Sequence, residues 1–296
     1  MSLRALVQDA ADRLEAAGLA YGHGTTNALD EAAWLVLWQL GLPLETALDD
    51  PHAALPNAQQ VAQCQALIAQ RISTRKPAAY LTRQAWLQGF SFYVDERVIV
   101  PRSLIAELLV NGGIDYFLHT GTHKVLDLCT GNASLAIIAA QVYPDTSVWA
   151  SDVSQDALDV AAINVAQHDV NARVHLLGSD GLSSPVLVAS GPFDLILCNP
   201  PYVNAQSMAA LPPEFQAEPA LALDGNTDGG HDGMDFVRRL LRDLPGHLNP
   251  QGVLVLEIGH ERAFFEAAFP ALPAVWLQTS AGEDQVLLLT REHLTP

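Results

Sequence analysis

Basic residues are scarce in this chain of 296 residues. Lys and Arg number 15 against 33 Asp and Glu, so the formal net charge is −18. A surface of that sign repels a phosphate backbone unless a local basic patch offsets it. The one cluster of cations contains Arg71, Arg75, Lys76 and Arg83. It is interpreted either as a solvated helix end or as a local contact with nucleic acid. The overall charge argues against a DNA partner.

Cysteine is also rare, and Cys64, Cys129 and Cys198 lack the spacing of a metal site. We interpret all three as packing residues, as expected in a reducing compartment. The longest apolar stretches, near 32–38 and 195–198, are much too short to cross a bilayer, and no basic-then-apolar leader is visible. These absences predict a cytoplasmic protein. With 49% hydrophobic and 16% charged residues, it is expected to fold throughout.

The spacing of apolar residues changes along the chain. Helical spacing over 3–17, 30–40 and 58–72 predicts a small helical domain at residues 1–84, which we expect to recognise the substrate. Alternating apolar residues over 85–100 predict a hairpin, and residues 85–102 are assigned to a linker.

The remaining residues, 103–296, form the predicted catalytic domain. A helix over 103–117 is followed by apolar segments with helical stretches between them. The predicted strands are 125–129, 147–152, 173–177, 193–198 and 252–258, with two more near 275–277 and 285–290. Repeated βα units predict an α/β fold with a mainly parallel sheet covered on both faces.

A turn of small residues follows the first of these strands, in the stretch DLCTGNA at residues 127–133. Such turns let a ligand approach the backbone at the carboxyl edge of a parallel sheet, although some are only tight turns. The next two strands end at Asp152 and Asp180. These carboxylates are predicted to bind the ribose hydroxyls and the adenine amino group of one nucleoside, with a helix N-cap as the alternative role of Asp152.

The acidic strand end favours one cofactor over another. A nicotinamide dinucleotide prefers a G-x-G-x-x-G turn, and its diphosphate would lie poorly beside Asp127. The cationic sulfonium and ammonium groups of S-adenosylmethionine suit that position better. We therefore predict S-adenosyl-L-methionine as the cofactor, S-adenosyl-L-homocysteine as the product, and no metal.

The catalytic prediction rests on Asn199-Pro200-Pro201-Tyr202, which follows an apolar strand. An amide nitrogen is a poor nucleophile because its lone pair is conjugated with the carbonyl. If the Asn199 side-chain oxygen and the Pro200 carbonyl accept the two N–H bonds of an –NH2 group, the nitrogen is held facing the donor methyl. Tyr202 is predicted to pack against the flat acceptor. The motif alone does not separate a glutamine amide from the exocyclic amine of adenine.

With these residues, the chain resembles the N5-glutamine methyltransferases, most closely the branch that modifies large-subunit ribosomal protein L-three. The resemblance is carried by 92–103, by 127–131 with 199–203, and by 211–215 with 218–223. It implies a class I, Rossmann-like, seven-stranded methyltransferase domain behind a small N-terminal helical domain. It also implies a ribosomal-protein partner. Contact of the cluster from Arg71 to Arg83 with ribosomal RNA would then be incidental, and the short apolar stretches predict no membrane partner.

The predicted site combines these arguments with the resemblance. The catalytic set is Asn199, Pro200, Pro201 and Tyr202. The cofactor set is Asp127, Cys129, Thr130, Gly131, Asn132, Asp152, Val153, Asp180, Gly181 and Asn199. The substrate set is Arg102, Tyr202 and Glu218.

Two departures from the family pattern affect these predictions. Asn132-Ala133 replaces the last two residues of the usual G-S-G turn, so the Ala133 methyl is expected where backbone would approach the methionine end. Residues 225–233 lengthen a later loop that nearly matches a calcium-binding pattern ending at Asp235. We expect a flexible polar loop with a solvated His231, and calcium binding is the alternative.

Three other functions remain open: a release-factor glutamine methyltransferase, an adenine-N6 methyltransferase, and an inactive cofactor-binding assembly factor. The adenine enzyme needs a basic groove that the charge of −18 disfavours. The assembly factor has only the altered turn in its support.

Overall fold

The computed structural model describes residues 1–49 and 55–294. Residues 50–54 of the predicted helical domain and 295–296 of the predicted catalytic domain lie outside the described residues. The chain forms two compact units. The first contains Met1–Ala85 and Leu211–Ala217, and the second contains Trp86–Ala210 and Glu218–Pro296. The sequence pattern gave no sign that a segment near residue 214 belongs with the first helices.

The first unit is helical. Its helices are α1 (Leu3–Ala16), α2 (Ala28–Leu40), α3 (Ala58–Thr74) and α4 (Ala78–Thr82). Ser2, Asn27 and Asn57 each cap a helix N-terminus by accepting a backbone N–H, and Gly41 ends α2 in the left-handed region at φ 67°. The three predicted helices are confirmed to within two residues at each end.

Buried ion pairs lie within this unit. The Arg71 side chain is completely buried, and its Nε lies 2.8 Å from Oε1 of Glu31. Arg75 Nε lies 2.8 Å from Oε1 of Glu214, which belongs to the 211–217 segment and is also fully buried. The interpretation of Arg71 as part of a solvated or RNA-binding cluster is therefore wrong.

A short hairpin opens the second unit. Strands β1 (Ala85–Leu87) and β2 (Phe90–Phe92) pair in a two-stranded sheet. Gln88 and Gly89 between them have φ of 51° and 82°, as a tight type I′ turn requires. The predicted hairpin continued to residue 100, but 93–100 contain no strand.

Seven strands form the main sheet. They are β3 (Lys124–Leu128), β4 (Ser147–Asp152), β5 (Val174–Gly178), β6 (Phe193–Cys198), β7 (Leu248–Glu257), β8 (Val275–Trp276) and β9 (Val286–Thr290). The order is β5-β4-β3-β6-β7-β9-β8, and only the pairings of β9 are antiparallel. The seven-stranded α/β prediction is confirmed.

The helices of the second unit begin and end as follows: α5 (Ile105–Val110), α6 (Ser134–Val142), α7 (Gln155–Gln167), α8 (Pro185–Ser190), α9 (Ala205–Ala209), α11 (Asp235–Asp243), α12 (Arg262–Ala268) and α13 (Arg291–Leu294). The short helix α10 (Pro213–Gln216) lies in the segment that belongs to the first unit. The predicted helix over 103–117 is wrong after Val110. The following Asn111-Gly112-Gly113 turn, with Gly112 at φ 73°, ends it. None of the described helices has the length and apolar character needed to span a membrane.

Alternate residues of the strands pack into two cores, one on each face of the sheet. Val125, Leu195 and Leu197 belong to one core, whereas Leu126 and Ile196 belong to the other. Strand β3 lies between β4 and β6, so the chain crosses from one half of the sheet to the other at this strand. The carboxyl end of such a strand is where open α/β sheets bind ligands.

Candidate functional site

A cavity of about 310 Å³ opens at this edge of the sheet, entirely within the second unit. It is lined by the linker residues 97–103, by the turn after β3, and by the ends of β4, β5 and β6. The segment 219–227 and helix α11 supply the remaining wall. The sequence-predicted turn and catalytic loop therefore meet in one cavity.

The turn after β3 is shaped by left-handed backbone. Gly131 has φ of 55°, and a Cβ placed there would meet no atom within 4 Å, so its open side belongs to the cavity. Ala133 also has a positive φ, of 65°, but it is fully buried in the core and does not line the cavity. The expectation that its methyl faces the cofactor is wrong. The residue fills core space at the cost of backbone strain.

Asp127 reaches this cavity from the end of β3. Its Oδ2 accepts hydrogen bonds from Thr130 Oγ1 and from Ala136 N at 3.0 Å. Its Oδ1 has no hydrogen-bond partner among the described residues, although the side chain is buried. Burial raises the pKa of Asp127 to about 7. A buried acceptor without a partner is the feature expected where a cationic ligand group donates.

Asp152 ends the neighbouring strand β4. Its Oδ2 accepts from Gly131 N and its Oδ1 from Ser154 N, both at 2.9 Å. The cap of helix α7 is Ser154, which accepts from Ala157 N, so the alternative of Asp152 as the helix cap is wrong. Burial raises the pKa of Asp152 from its ordinary value. Each oxygen keeps a lone pair that can accept a hydrogen bond from a ribose hydroxyl.

The rest of the predicted cofactor set also lines the cavity: Cys129, Thr130, Asn132, Val153, Asp180, Gly181 and Asn199. The Asp180 carboxylate is largely exposed and lies 3.7 Å from Arg239 Nη2. Cys64 and Cys198 are buried, as packing residues should be. Cys129 is less buried and faces the cavity, so the interpretation of all three cysteines as packing residues is incomplete.

The catalytic loop divides into residues that reach the cavity and residues that support it. Asn199 and Pro201 line the cavity, whereas Pro200 and Tyr202 do not. The Tyr202 ring packs so closely on Gly259 that a Cβ on that glycine would lie 2.7 Å from ring carbon Cε2. Burial raises the pKa of the Tyr202 hydroxyl, and the Glu257 carboxylate adds to the shift. Tyr202, which was predicted to pack against the flat acceptor, therefore lies behind the residues that line the cavity.

The predicted substrate residues Arg102 and Glu218 bind each other. Arg102 Nη1 lies 2.7 Å from Glu218 Oε1, and Nη2 lies 2.8 Å from Oε2. Glu218 Oε1 also accepts from Val100 N at 2.9 Å. Of these two residues, Arg102 lines the cavity and Glu218 does not. Pro219, which follows Glu218 in the sequence, also lines it. The two-pronged contact joins the linker to the segment after the catalytic loop.

Glu257 and Arg97 were not predicted from the sequence. Glu257, at the end of β7, accepts hydrogen bonds from Ser103 Oγ and from Leu104 N at 2.9 Å. Burial raises its pKa to about 7. Arg97 lines the cavity and pairs with Asp95 through two contacts of 2.9 and 2.7 Å. For Arg97 the available signal was the charged Asp-Glu-Arg run at 95–97 of the linker, whereas no local pattern marks Glu257.

The extended loop after the catalytic motif is ordered by its own side chains. Asp235 Oδ2 accepts from Asp228 N at 2.9 Å and from Gly230 N at 2.8 Å. The carboxylate that would close a calcium site therefore binds backbone instead, and the described residues contain no cluster able to hold a metal ion. His231 is exposed, as expected.

Comparisons with known proteins agree with this geometry. The model of the methyltransferase small domain matches residues 109–226. A ribosomal protein uL3 glutamine methyltransferase of Bordetella pertussis (strain Tohama I) is 52% identical over 294 residues, which cover 99% of this chain and 96% of that protein. A protein of the same description from Neisseria gonorrhoeae is 47% identical, with coverages of 99% and 95%.

Among solved structures, the hMettl16 catalytic domain in complex with MAT2A 3'UTR hairpin 6 is similar in fold. Its TM-score is 0.51 at 15% identity, and the match covers 80% of this chain and 83% of that chain. At this identity the likeness concerns the fold alone. It matches the fold class expected from the sequence.

Proposed function

The chain belongs to the family of ribosomal protein uL3 glutamine methyltransferases, and from this we propose that it methylates the side-chain amide of a glutamine in uL3, using S-adenosyl-L-methionine. The observation that carries the proposal is one shared cavity. Asn199 and Pro201 of the catalytic loop line it together with Asp127 and Asp152 at the strand ends. Action on a ribosomal protein also supports a cytoplasmic location.

The carboxylates at the strand ends fit the methyl donor. Asp152 would accept the ribose hydroxyls and Asp180 the adenine amino group, while the unpartnered Oδ1 of Asp127 would accept an N–H of the methionine ammonium. S-adenosylmethionine supplies an electrophilic methyl group on its sulfonium. Asp127 and Asp152 supply acceptors and negative charge at the strand ends, which suit a cationic group placed beside them.

The acceptor amide would be held by the catalytic loop. The Asn199 side-chain oxygen and the carbonyl of Pro200 would each accept one N–H of the glutamine –NH2 group. Pro200 is not among the residues that line the cavity, so its part in the proposal rests on the position of its carbonyl between Asn199 and Pro201, which do. Tyr202 would stiffen the loop through its packing on Gly259. Transfer would form the bond between the nitrogen and the methyl carbon and break the bond from that carbon to the sulfonium sulfur, which would leave as the thioether of S-adenosyl-L-homocysteine. The methylated nitrogen would then return to a neutral amide by releasing one N–H proton to solvent water.

Substrate selection would fall to other groups. Arg102 lines the cavity beside Pro219 and is oriented by Glu218, so we propose that it contacts the peptide that carries the glutamine. The helical unit would bind uL3 away from the modified residue. Trp38 and Leu42 are exposed apolar side chains of this unit, so variants at these two positions test whether it binds uL3. Normal turnover of uL3 in both variants would argue against a uL3-binding role of the helical unit.

The test is methyl transfer from labelled S-adenosylmethionine to hypomethylated uL3, a release factor and DNA in parallel, with the product located by mass spectrometry. Asn199→Ala is the matched inactive control. We expect label on a glutamine of uL3. Label confined to the release factor would contradict the substrate, label on adenine would contradict the substrate class, and binding of cofactor without transfer to any of them would contradict the activity.

A further inference from the structure

Asn164 is a buried polar residue outside the cavity. It lies on α7 and is completely inaccessible to solvent. Its Oδ1 accepts from Tyr93 N at 2.7 Å, and its Nδ2 donates to Tyr93 O at 3.0 Å. The same Nδ2 donates to the carbonyl of Asn132 at 3.0 Å. One side-chain amide thus binds the linker and the cofactor turn together.

The two bonds to Tyr93 replace those of a strand partner. Strand β2 ends at Phe92, so no neighbouring strand pairs with the Tyr93 peptide. A buried backbone N–H or C=O without a partner is costly, and a side-chain amide carries the donor and acceptor needed to satisfy both. Asn and Gln are the two side chains that carry a carboxamide, and Asn is the shorter.

From Tyr93 a hydrogen-bonded path leads to the cavity wall. The Tyr93 hydroxyl donates to Asp95 Oδ2 at 2.9 Å. Asp95 in turn holds the Arg97 guanidinium, which lines the cavity. On the other arm, Asn132 lines the cavity directly. Asn164 is therefore connected to two segments of the lining that are far apart in the sequence.

We propose that Asn164 is a positioning residue that fixes the linker wall and the cofactor-turn wall of the cavity relative to each other before the cofactor binds. The proposal rests on the proposed function and extends it to a residue that does not touch the cofactor. When both walls are already held in place, cofactor binding loses less conformational entropy because it does not have to order them. Loss of the amide should therefore weaken cofactor affinity as well as lower stability.

The experiment measures the Kd for S-adenosylmethionine by calorimetry in Asn164→Ala, well below the melting temperature of each variant. The matched control is Val165→Ala, because Val165 is the next residue, is buried in the apolar core and does not line the cavity. We expect Asn164→Ala to raise the Kd about tenfold or more, consistent with the loss of several buried hydrogen bonds. Val165→Ala should change it less than about twofold.

A second variant tests the path itself. Tyr93→Phe removes only the hydroxyl that binds Asp95 and should raise the Kd by a smaller factor. Because both changes act on one path, the double variant should raise the Kd by less than the product of the two single factors. Amide hydrogen exchange at Tyr93 should become faster in Asn164→Ala and stay slow in Val165→Ala.

Equal Kd values for Asn164→Ala and Val165→Ala would overturn the proposal. If Asn164→Ala does not fold, an unchanged Kd in Tyr93→Phe would overturn it as well. Because these measurements need no uL3, a wild-type protein that binds the cofactor but leaves uL3 unmodified would contradict the proposed substrate alone. A wild-type protein that does not bind the cofactor would overturn both proposals.

Discussion

The carboxylate of Asp152 accepts a hydrogen bond of 2.9 Å from the backbone N–H of Gly131, so the end of β4 holds the turn that follows β3. The two residues are 21 positions apart in the sequence but belong to adjacent strand ends. Asp152 therefore has two roles in the proposed site. It orders the turn that surrounds the cofactor, and it keeps acceptor capacity for the ribose.

Replacing Asp152 should weaken cofactor binding. Hydrogen bonds to a charged group contribute about 1.5–3 kcal/mol each, so Asp152→Ala should raise the Kd for S-adenosylmethionine by about 10- to 100-fold. Calorimetric titration checks this. Asp156→Ala, in the exposed first turn of α7, is the matched control and should bind normally. An unchanged Kd in Asp152→Ala would remove the ribose role.

Replacing Asn199 should affect the chemical step more than the binding step. Loss of a positioning group that acts on the reacting atom costs about 100-fold or more in rate. Asn199→Ala should lower kcat by that factor and change the Kd for the cofactor less than about threefold. Single-turnover kinetics with saturating cofactor give the first quantity. Asn249→Ala, whose side chain binds Asp194 instead of lining the cavity, should keep wild-type turnover.

Cofactor binding should depend on pH through Asp127. Burial raises the pKa of this carboxyl to about 7, and a cationic ligand favours the ionised form. The Kd for S-adenosylmethionine should therefore fall as the pH rises from 5.5 to about 8, with protons released on binding. Calorimetry in two buffers of different ionisation enthalpy measures that release.

Two variants identify the titrating group. Asp127→Asn should bind the cofactor weakly at every pH. Glu257→Gln should keep the pH dependence of the Kd, although burial also raises the pKa of Glu257 to about 7.

The stability of the fold should change with pH in the opposite direction to cofactor affinity. A carboxyl whose pKa is raised on folding stabilises the protein fully below the unfolded pKa and loses that contribution as the pH rises through 7. The melting temperature of Asp127→Asn, relative to that of wild type, should therefore be higher at pH 8 than at pH 5.5.

The buried ion pair between Glu214 and Arg75 should matter for stability. Glu214 also lies 3.7 Å from the fully buried Arg71, so removing its carboxylate leaves excess positive charge at a buried site, and loss of one partner of a buried pair costs about 3–5 kcal/mol. Glu214→Ala should therefore lower the melting temperature markedly. Glu266→Ala breaks an exposed pair with Arg262 and should change the free energy of unfolding by less than about 0.5 kcal/mol. Similar melting of the two variants would contradict this prediction.

The sequence predicts those parts of the fold that depend on local pattern. The helices of the first unit follow from apolar spacing and capping residues, and the strand ends that line the cavity follow from βα alternation. Local turn chemistry overrides that pattern at Asn111-Gly112-Gly113, where the periodic apolar residues continue but the helix stops. A period alone does not locate the end of a helix.

Residues that act through distant partners could not be predicted in this way. Asn164 looks like one polar position on an amphipathic helix, and its partner Tyr93 is 71 residues away. Arg71 looks like a surface cation, but its charge is compensated by Glu31, 40 residues earlier. Ala133 looks like part of the cofactor turn, but its side chain belongs to the core. Each case depends on tertiary packing that no local spacing records.

The membership of Leu211–Ala217 in the first unit limits how the gene can be rearranged. A chain that starts at Trp86 would keep Glu214 but lose Arg71 and Arg75, so a buried carboxylate would be left without its cations. Replacing the first helices with helices that lack these cations would therefore also require a change in the separate stretch after the catalytic motif. The sequence of the first helices is in this way tied to that of a segment more than 130 residues later.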